Sequence, residues 1–122
     1  MVGVRIAVAA VFIALVTSCG GGKYASTPTS PTTAAGTVTI QVNARTAGTA
    51  AFVPNPLTVS SGAAVTWSNT DSTTHDMVSD TGMWDSGRIA PGGSFSFAFP
   101  SKGSFPYHCS IHTGMVGTVV VQ

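Results

Sequence analysis

The chain has 122 residues, of which 43% are hydrophobic and only 7% charged, and its formal net charge is +1. That length leaves room for one domain, and so small a charge excludes a basic nucleic-acid surface and leaves no acidic tail. The two cysteines, Cys19 and Cys109, would ordinarily suggest a disulfide in an exported chain, but each stands where a thiol has another use.

Residues 1–18 read as a signal peptide. Arg5 supplies the positive start, and Ile6 to Val16 is an unbroken apolar run of eleven residues. A membrane span needs about twenty, so this run is too short to cross. Val16-Thr17-Ser18-Cys19 then resembles a bacterial lipobox, in which a small residue precedes a cysteine that is acylated. Acyl chains on Cys19 would anchor the protein through about 0.8 kcal/mol per buried CH2. The expected location is therefore an exported face of a bacterial membrane, in the periplasm or at the cell surface. Residues 19–36 are rich in Gly, Ser, Thr and Pro and lack hydrophobic periodicity. They read as a disordered linker that holds a domain off the membrane.

From residue 37 the pattern turns β. Thr37 to Val42 alternates with period two, and Leu57-Thr58-Val59 follows two prolines that confine the preceding chain to an edge or bulge. Ala64 to Asn69 alternates again, with Val65 and Trp67 on one face. His75 to Val78 is a short strand, and Thr81 to Gly93 reads as irregular. Ser94 to Phe99 alternates most cleanly and puts three Phe on one face. Ser104 to Cys109 and Val116 to Val121 close the chain, while Arg45 to Ala51 reads as loop. No segment has a helical period. The turn spacing predicts an all-β Greek-key β-sandwich of seven to eight strands over residues 37–122.

The densest chemistry lies in Tyr107-His108-Cys109-Ser110-Ile111-His112-Thr113-Gly114-Met115, between the last two strands. Cys109, His112 and Met115 recur every third residue. Thiolate, imidazole and thioether are soft donors that copper selects, and a trigonal His2Cys site with a weak axial Met lacks only one more imidazole. His75 can supply it, as the one histidine outside this stretch.

These residues carry a resemblance to the cupredoxins, the small blue copper proteins, and most of all to their amicyanin and plastocyanin branch. It rests on Phe52 to Val59, on Gly62 to Asp71, on His75 and on the loop from Cys109 to Met115. The short spacing from Cys to His to Met is similar to that of amicyanin; plastocyanin has a longer gap between His and Met. The resemblance implies one copper ion per chain, held by the Cys109 thiolate, the His75 and His112 imidazoles and a long axial bond from Met115. His108 adjoins Cys109 on a strand and faces the other way, so it reads as a non-ligand. Tyr107 and Phe105 read as packing residues, and Met77 and Met83 as core filler.

Two positions depart from the branch. Asp76 stands where an Asn usually knits the two ligand loops together, and Asp donates a hydrogen bond only when protonated. Ile111 stands where Pro usually precedes the second ligand His. A copper site of this kind moves one electron and needs no small-molecule substrate. The expected function is thus a lipid-tethered monomeric electron carrier that meets redox partner proteins and is not an enzyme. Three rivals are a copper-delivery protein, a Cys–His nucleophile and a zinc site. They are disfavoured by the scarcity of Met, by the absence of acid/base carboxylates and by Met115 respectively.

Overall fold

The computed structural model describes residues 36–122. The signal peptide, Cys19 and nearly all of the linker lie outside the described residues. Among the described residues nine strands form: β1 Gly36–Ile40, β2 Phe52–Val53, β3 Leu57–Val59, β4 Ala64–Asn69, β5 His75–Ser79, β6 Asp85–Ile89, β7 Ser94–Ala98, β8 Gly103–His108 and β9 Val116–Val121. They make two sheets, ordered β2-β1-β4-β7 and β3-β9-β8-β5-β6. The expected two-sheet all-β sandwich is present.

Alternation in the sequence decides which side chains enter the space between the sheets. Val65, Trp67 and Asn69 of β4 are buried, as are Val119 and Val121 of β9. Phe95 and Phe97 pack against this core, and Phe99 is fully buried. Trp67 is the centre of the core. Its ring lies 4.7 Å from that of Trp84 and 5.4 Å from that of Tyr107, with Phe95 and Phe99 further out. A well-packed buried Trp is worth about 3–5 kcal/mol against truncation to Ala. Gly117 is part of this packing. A β-carbon there would collide with the Tyr107 ring, so only glycine lets β9 lie against that ring.

Several local expectations need correction. The strand count is nine rather than seven or eight, because β6 crosses the stretch read as irregular and β2 adds a short edge strand. β6 was hidden by its exposed, non-alternating face and by Gly87 at φ 61°. The segment read as loop holds two 3-10 turns, Ala44–Thr46 and Gly48–Ala51. β1 stops at Ile40, and Val42 is exposed. Met77 is core filler as expected, but Met83 is 41% exposed, since it sits in a turn where its neighbour Trp84 takes the buried position. The two prolines do mark sheet edges: Pro54 and Pro56 lie between β2 and β3, each an edge strand of its own sheet.

The topology gathers the chemistry at one end of the sandwich. β5 and β8 are antiparallel neighbours paired Val78 to His108 and Ser79 to Tyr107. This register sets the end of β5 beside the end of β8, and carried further it lays the start of β5 alongside the residues that follow β8. The loop entering β5 is tied to the first sheet, where the Thr70 N–H donates to the Ile40 carbonyl at 3.1 Å.

Candidate metal centre

His75 opens β5, and Cys109 follows the last residue of β8. His112 lies in the loop beyond. The Cys109 Sγ is 3.9 Å from His75 Nδ1 and 3.7 Å from His112 Nδ1, and the two Nδ1 atoms are 3.1 Å apart. His75 and Cys109 are buried, and His112 is half-buried. Met115, from the same loop, is fully buried. The Cys109 N–H donates to the Met115 carbonyl at 3.0 Å and closes the loop on itself. Gly114 makes the tight turn, at φ 85°, where a side chain would strain the backbone. Ile111 stands exposed beside His112.

His75 is fastened from behind. Its Nε2 lies 2.9 Å from Asp71 Oδ2. Asp71 also accepts from the Asn43 N–H at 3.0 Å, the Ser72 N–H at 2.8 Å and the Thr73 hydroxyl at 2.9 Å. Burial alone would raise the Asp71 pKa. The bonds from His75, Thr73, Asn43 and Ser72 outweigh it and hold the carboxyl well below its ordinary range. An ionised Asp71 can only accept, so the His75 proton sits on Nε2 and the Nδ1 lone pair is left free for a metal. Asn69 shapes the same loop: its side chain donates to the Thr73 and Ile89 carbonyls at 2.8 and 2.9 Å.

Asp76 joins the two ligand-bearing segments. Its Oδ1 accepts from the Ser110 N–H at 2.7 Å, and its Oδ2 accepts from the Ser110 hydroxyl at 2.6 Å. Continuing the β5–β8 register places Asp76 opposite Ser110, which is why these two meet. Burial raises the Asp76 pKa, but the Ser110 bonds bring it below its ordinary value. The knitting that the sequence placed in doubt is therefore made, with Asp as acceptor only. The same Oδ1 lies 3.5 Å from Cys109 Sγ.

Residues 38–122 match the family described as copper binding proteins, plastocyanin/azurin family. The chain belongs to that family. A plastocyanin of Cucumis sativus is 39% identical over 91 residues, covering 62% of this chain and 91% of that one. A solved structure titled a novel purple cupredoxin from Nitrosopumilus maritimus superposes with TM-score 0.66 at 29% identity, over 71% of this chain and 99% of the other. A Cu(I) form of a mutant amicyanin gives TM-score 0.62 at 26% identity, over 72% and 82%.

Copper, then, is the cofactor of this cupredoxin, and the three facing atoms can be tested against it. A point equidistant from Cys109 Sγ and the two Nδ1 atoms lies about 2.1 Å from each. First-row metal bonds of this kind run about 2.0–2.1 Å to nitrogen and about 2.3 Å to sulfur, as zinc sites document, so the three atoms fit one ion without rearrangement. Burial is the largest effect on both ionisable donors. It pushes the Cys109 thiol up and the His112 imidazole down, the latter helped by the positive charge of Arg45. A neutral His112 is the form that binds metal, whereas the thiol must lose its proton on binding.

His108 does not join them. Its ring turns to the exposed face and pairs with Asp80. Tyr107 is buried and Phe105 half-buried, as packing residues should be. Sequence reasoning gives Asp71 no role of its own; it stands there only as the last residue of the stretch Gly62 to Asp71. The available signal was an Asp four residues before His75, separated from it by Ser72, Thr73 and Thr74, all short polar residues suited to a hydrogen-bonded turn.

Proposed function

We propose that His75, Cys109 and His112, with Met115 as a weak axial donor, hold one copper ion in a type 1 site. The protein is read as a one-electron carrier between redox partner proteins. The observation that supports this most is the triangle of sulfur and two nitrogens, preformed around a point at metal-bond length from all three. Bound copper supplies the change between Cu(II) and Cu(I). The chain supplies the rest. Asp71 fixes the His75 ring, Asp76 and the Cys109–Met115 backbone bond fix the loop, and burial keeps water from the sulfur. A frame held this firmly favours one geometry for both oxidation states, so little reorganisation opposes the electron. His112 is the donor with an edge toward solvent, and the electron leaves and enters there.

The tether is part of the same reading. Cys19 is the acylation site of an exported lipoprotein, residues 1–18 its signal and residues 19–36 its stalk, in the periplasm or at the cell surface. Among the described residues no helix is long and apolar enough to cross a membrane. The electron-carrier reading is tested by loading with Cu(II) and cycling with ascorbate and ferricyanide. An intense visible band that bleaches and returns is expected; no band with one bound copper would refute the site. For the tether, the membrane fraction of a bacterium expressing the full chain should hold wild type but lose Cys19→Ala. Mature wild type released without detergent would contradict the anchor.

A further inference from the structure

We propose that Asp76 sets the charge balance of the centre: its carboxylate beside the Cys109 sulfur favours a divalent over a monovalent ion and so lowers the reduction potential of bound copper. This rests on the copper reading above.

The placement carries the argument. Asp76 Oδ1 is 3.5 Å from Cys109 Sγ, and Asp76 is buried. Both of its oxygens accept hydrogen bonds from Ser110, from the N–H and from the hydroxyl. Two donated bonds stabilise a carboxylate in its ionised form. The described ion pairs are His75–Asp71 and His108–Asp80, so no cation partners Asp76. When Cys109 loses its proton to bind metal, the S–H that could donate to Oδ1 is gone. Two anions then face each other in a setting that water screens poorly. A bound cation relieves this repulsion, and an ion of charge two relieves it more than an ion of charge one. Reduction adds one electron, delivered by a donor protein, and no atom leaves. The fixed charge of Asp76 opposes that addition. Asp71 is also anionic, but it reaches the site only through the far nitrogen of His75.

Asp76→Asn isolates the charge. The amide oxygen can accept the Ser110 N–H, and its NH2 can donate to the Ser110 oxygen, which accepts as readily as it donates. The shape and both bonds survive. Redox titration should show the Cu(I) to Cu(II) ratio at a fixed poise rising about tenfold or more in Asp76→Asn, an upward shift of about 59 mV per tenfold. Ser110→Ala provides the opposite control. It strips one donor from the carboxylate and should leave the potential unchanged or lower, whereas a merely structural Asp76 would make both variants shift the same way. A second arm does not depend on colour or electron transfer. Competition dialysis of Zn(II) against Ag(I) on the apo-protein should show the Zn(II) to Ag(I) affinity ratio falling about tenfold in Asp76→Asn. An unchanged potential with an unchanged ion ratio would overturn the proposal. A wild type that stays colourless with Cu(II) would sink the type 1 reading alone, and the Zn(II) to Ag(I) ratio would still decide the role of Asp76.

Discussion

His75 and His112 aim their Nδ1 atoms at each other across 3.1 Å, yet they are held in different ways. His75 is fully buried, begins a strand, and has its far nitrogen on a carboxylate that three further donors hold in place. His112 is half-buried in a loop that is closed by one backbone bond and hung from Asp76 through Ser110. On the proposed reading the buried half fixes where copper sits and the other half lets electrons in and out. Loops carry function while the scaffold positions it, and here the division runs through the middle of a single site.

The contrast breaks most severely at Asp71. Asp71→Ala takes the acceptor from four donors, of which the buried His75 Nε2–H keeps only the Thr73 hydroxyl at 3.1 Å, and an orphaned buried group costs about 1–3 kcal/mol. We expect a loss of about 2–4 kcal/mol in apo-protein stability by denaturant titration and of about 10–100-fold in metal affinity. A variant with wild-type affinity would mean that His75 needs no fastening.

The same carboxylate gives the contrast a pH signature. The Asp71 pKa is depressed in the folded state, so its stabilisation is complete above the unfolded value of about 3.9 and drains away as pH falls below it. The Asp71 share of apo-protein stability should therefore hold down to about pH 4 and be lost further down, so the decline in that range is shallower in Asp71→Ala, while the depressed His112 imidazole gives both proteins a separate decline that begins below about pH 6.5. Equal slopes would place the acid sensitivity elsewhere.

In the loop half the effects shrink. Met115→Leu should keep copper and colour but become easier to reduce, since potential follows a weak axial donor. Loss of copper in that variant would give Met115 a stronger bond than this. Ile111→Lys should leave the spectrum nearly intact and slow electron transfer to a partner, because it puts a charge on the exposed apolar rim of His112. With so few charged residues in the chain, transfer should depend only weakly on salt. Stopped-flow oxidation by a cytochrome across ionic strengths reads both effects, and a steep salt dependence with an unaffected Ile111→Lys rate would move the docking surface away from His112.

The two halves were also unequally legible in the sequence. Strands that alternate, such as Ala64–Asn69 and Ser94–Ala98, could be read because one face is buried and the other is not. The ligand loop from Cys109 to Met115 could be read because its donors lie close together in sequence. The fastening of His75 could not, since Asp71 looks like any turn residue until its four donors are brought to it. β6 escaped because a short, exposed strand with a positive-φ glycine has no period to detect. Asp76 was noticed as a departure, but that its two oxygens would both land on Ser110 follows from strand register, which composition does not carry.

The central claim is that one sulfur and two imidazoles converge on one copper ion. It is tested most directly by titrating the apo-protein and its Cys109→Ser variant with Cu(II) while recording the visible spectrum. Wild type should develop an intense thiolate-to-copper band that saturates at one equivalent, and Cys109→Ser, with its fold intact by circular dichroism, should develop none, because a hydroxyl is too hard and too weakly acidic to replace the thiolate. The same band in Cys109→Ser would contradict the account.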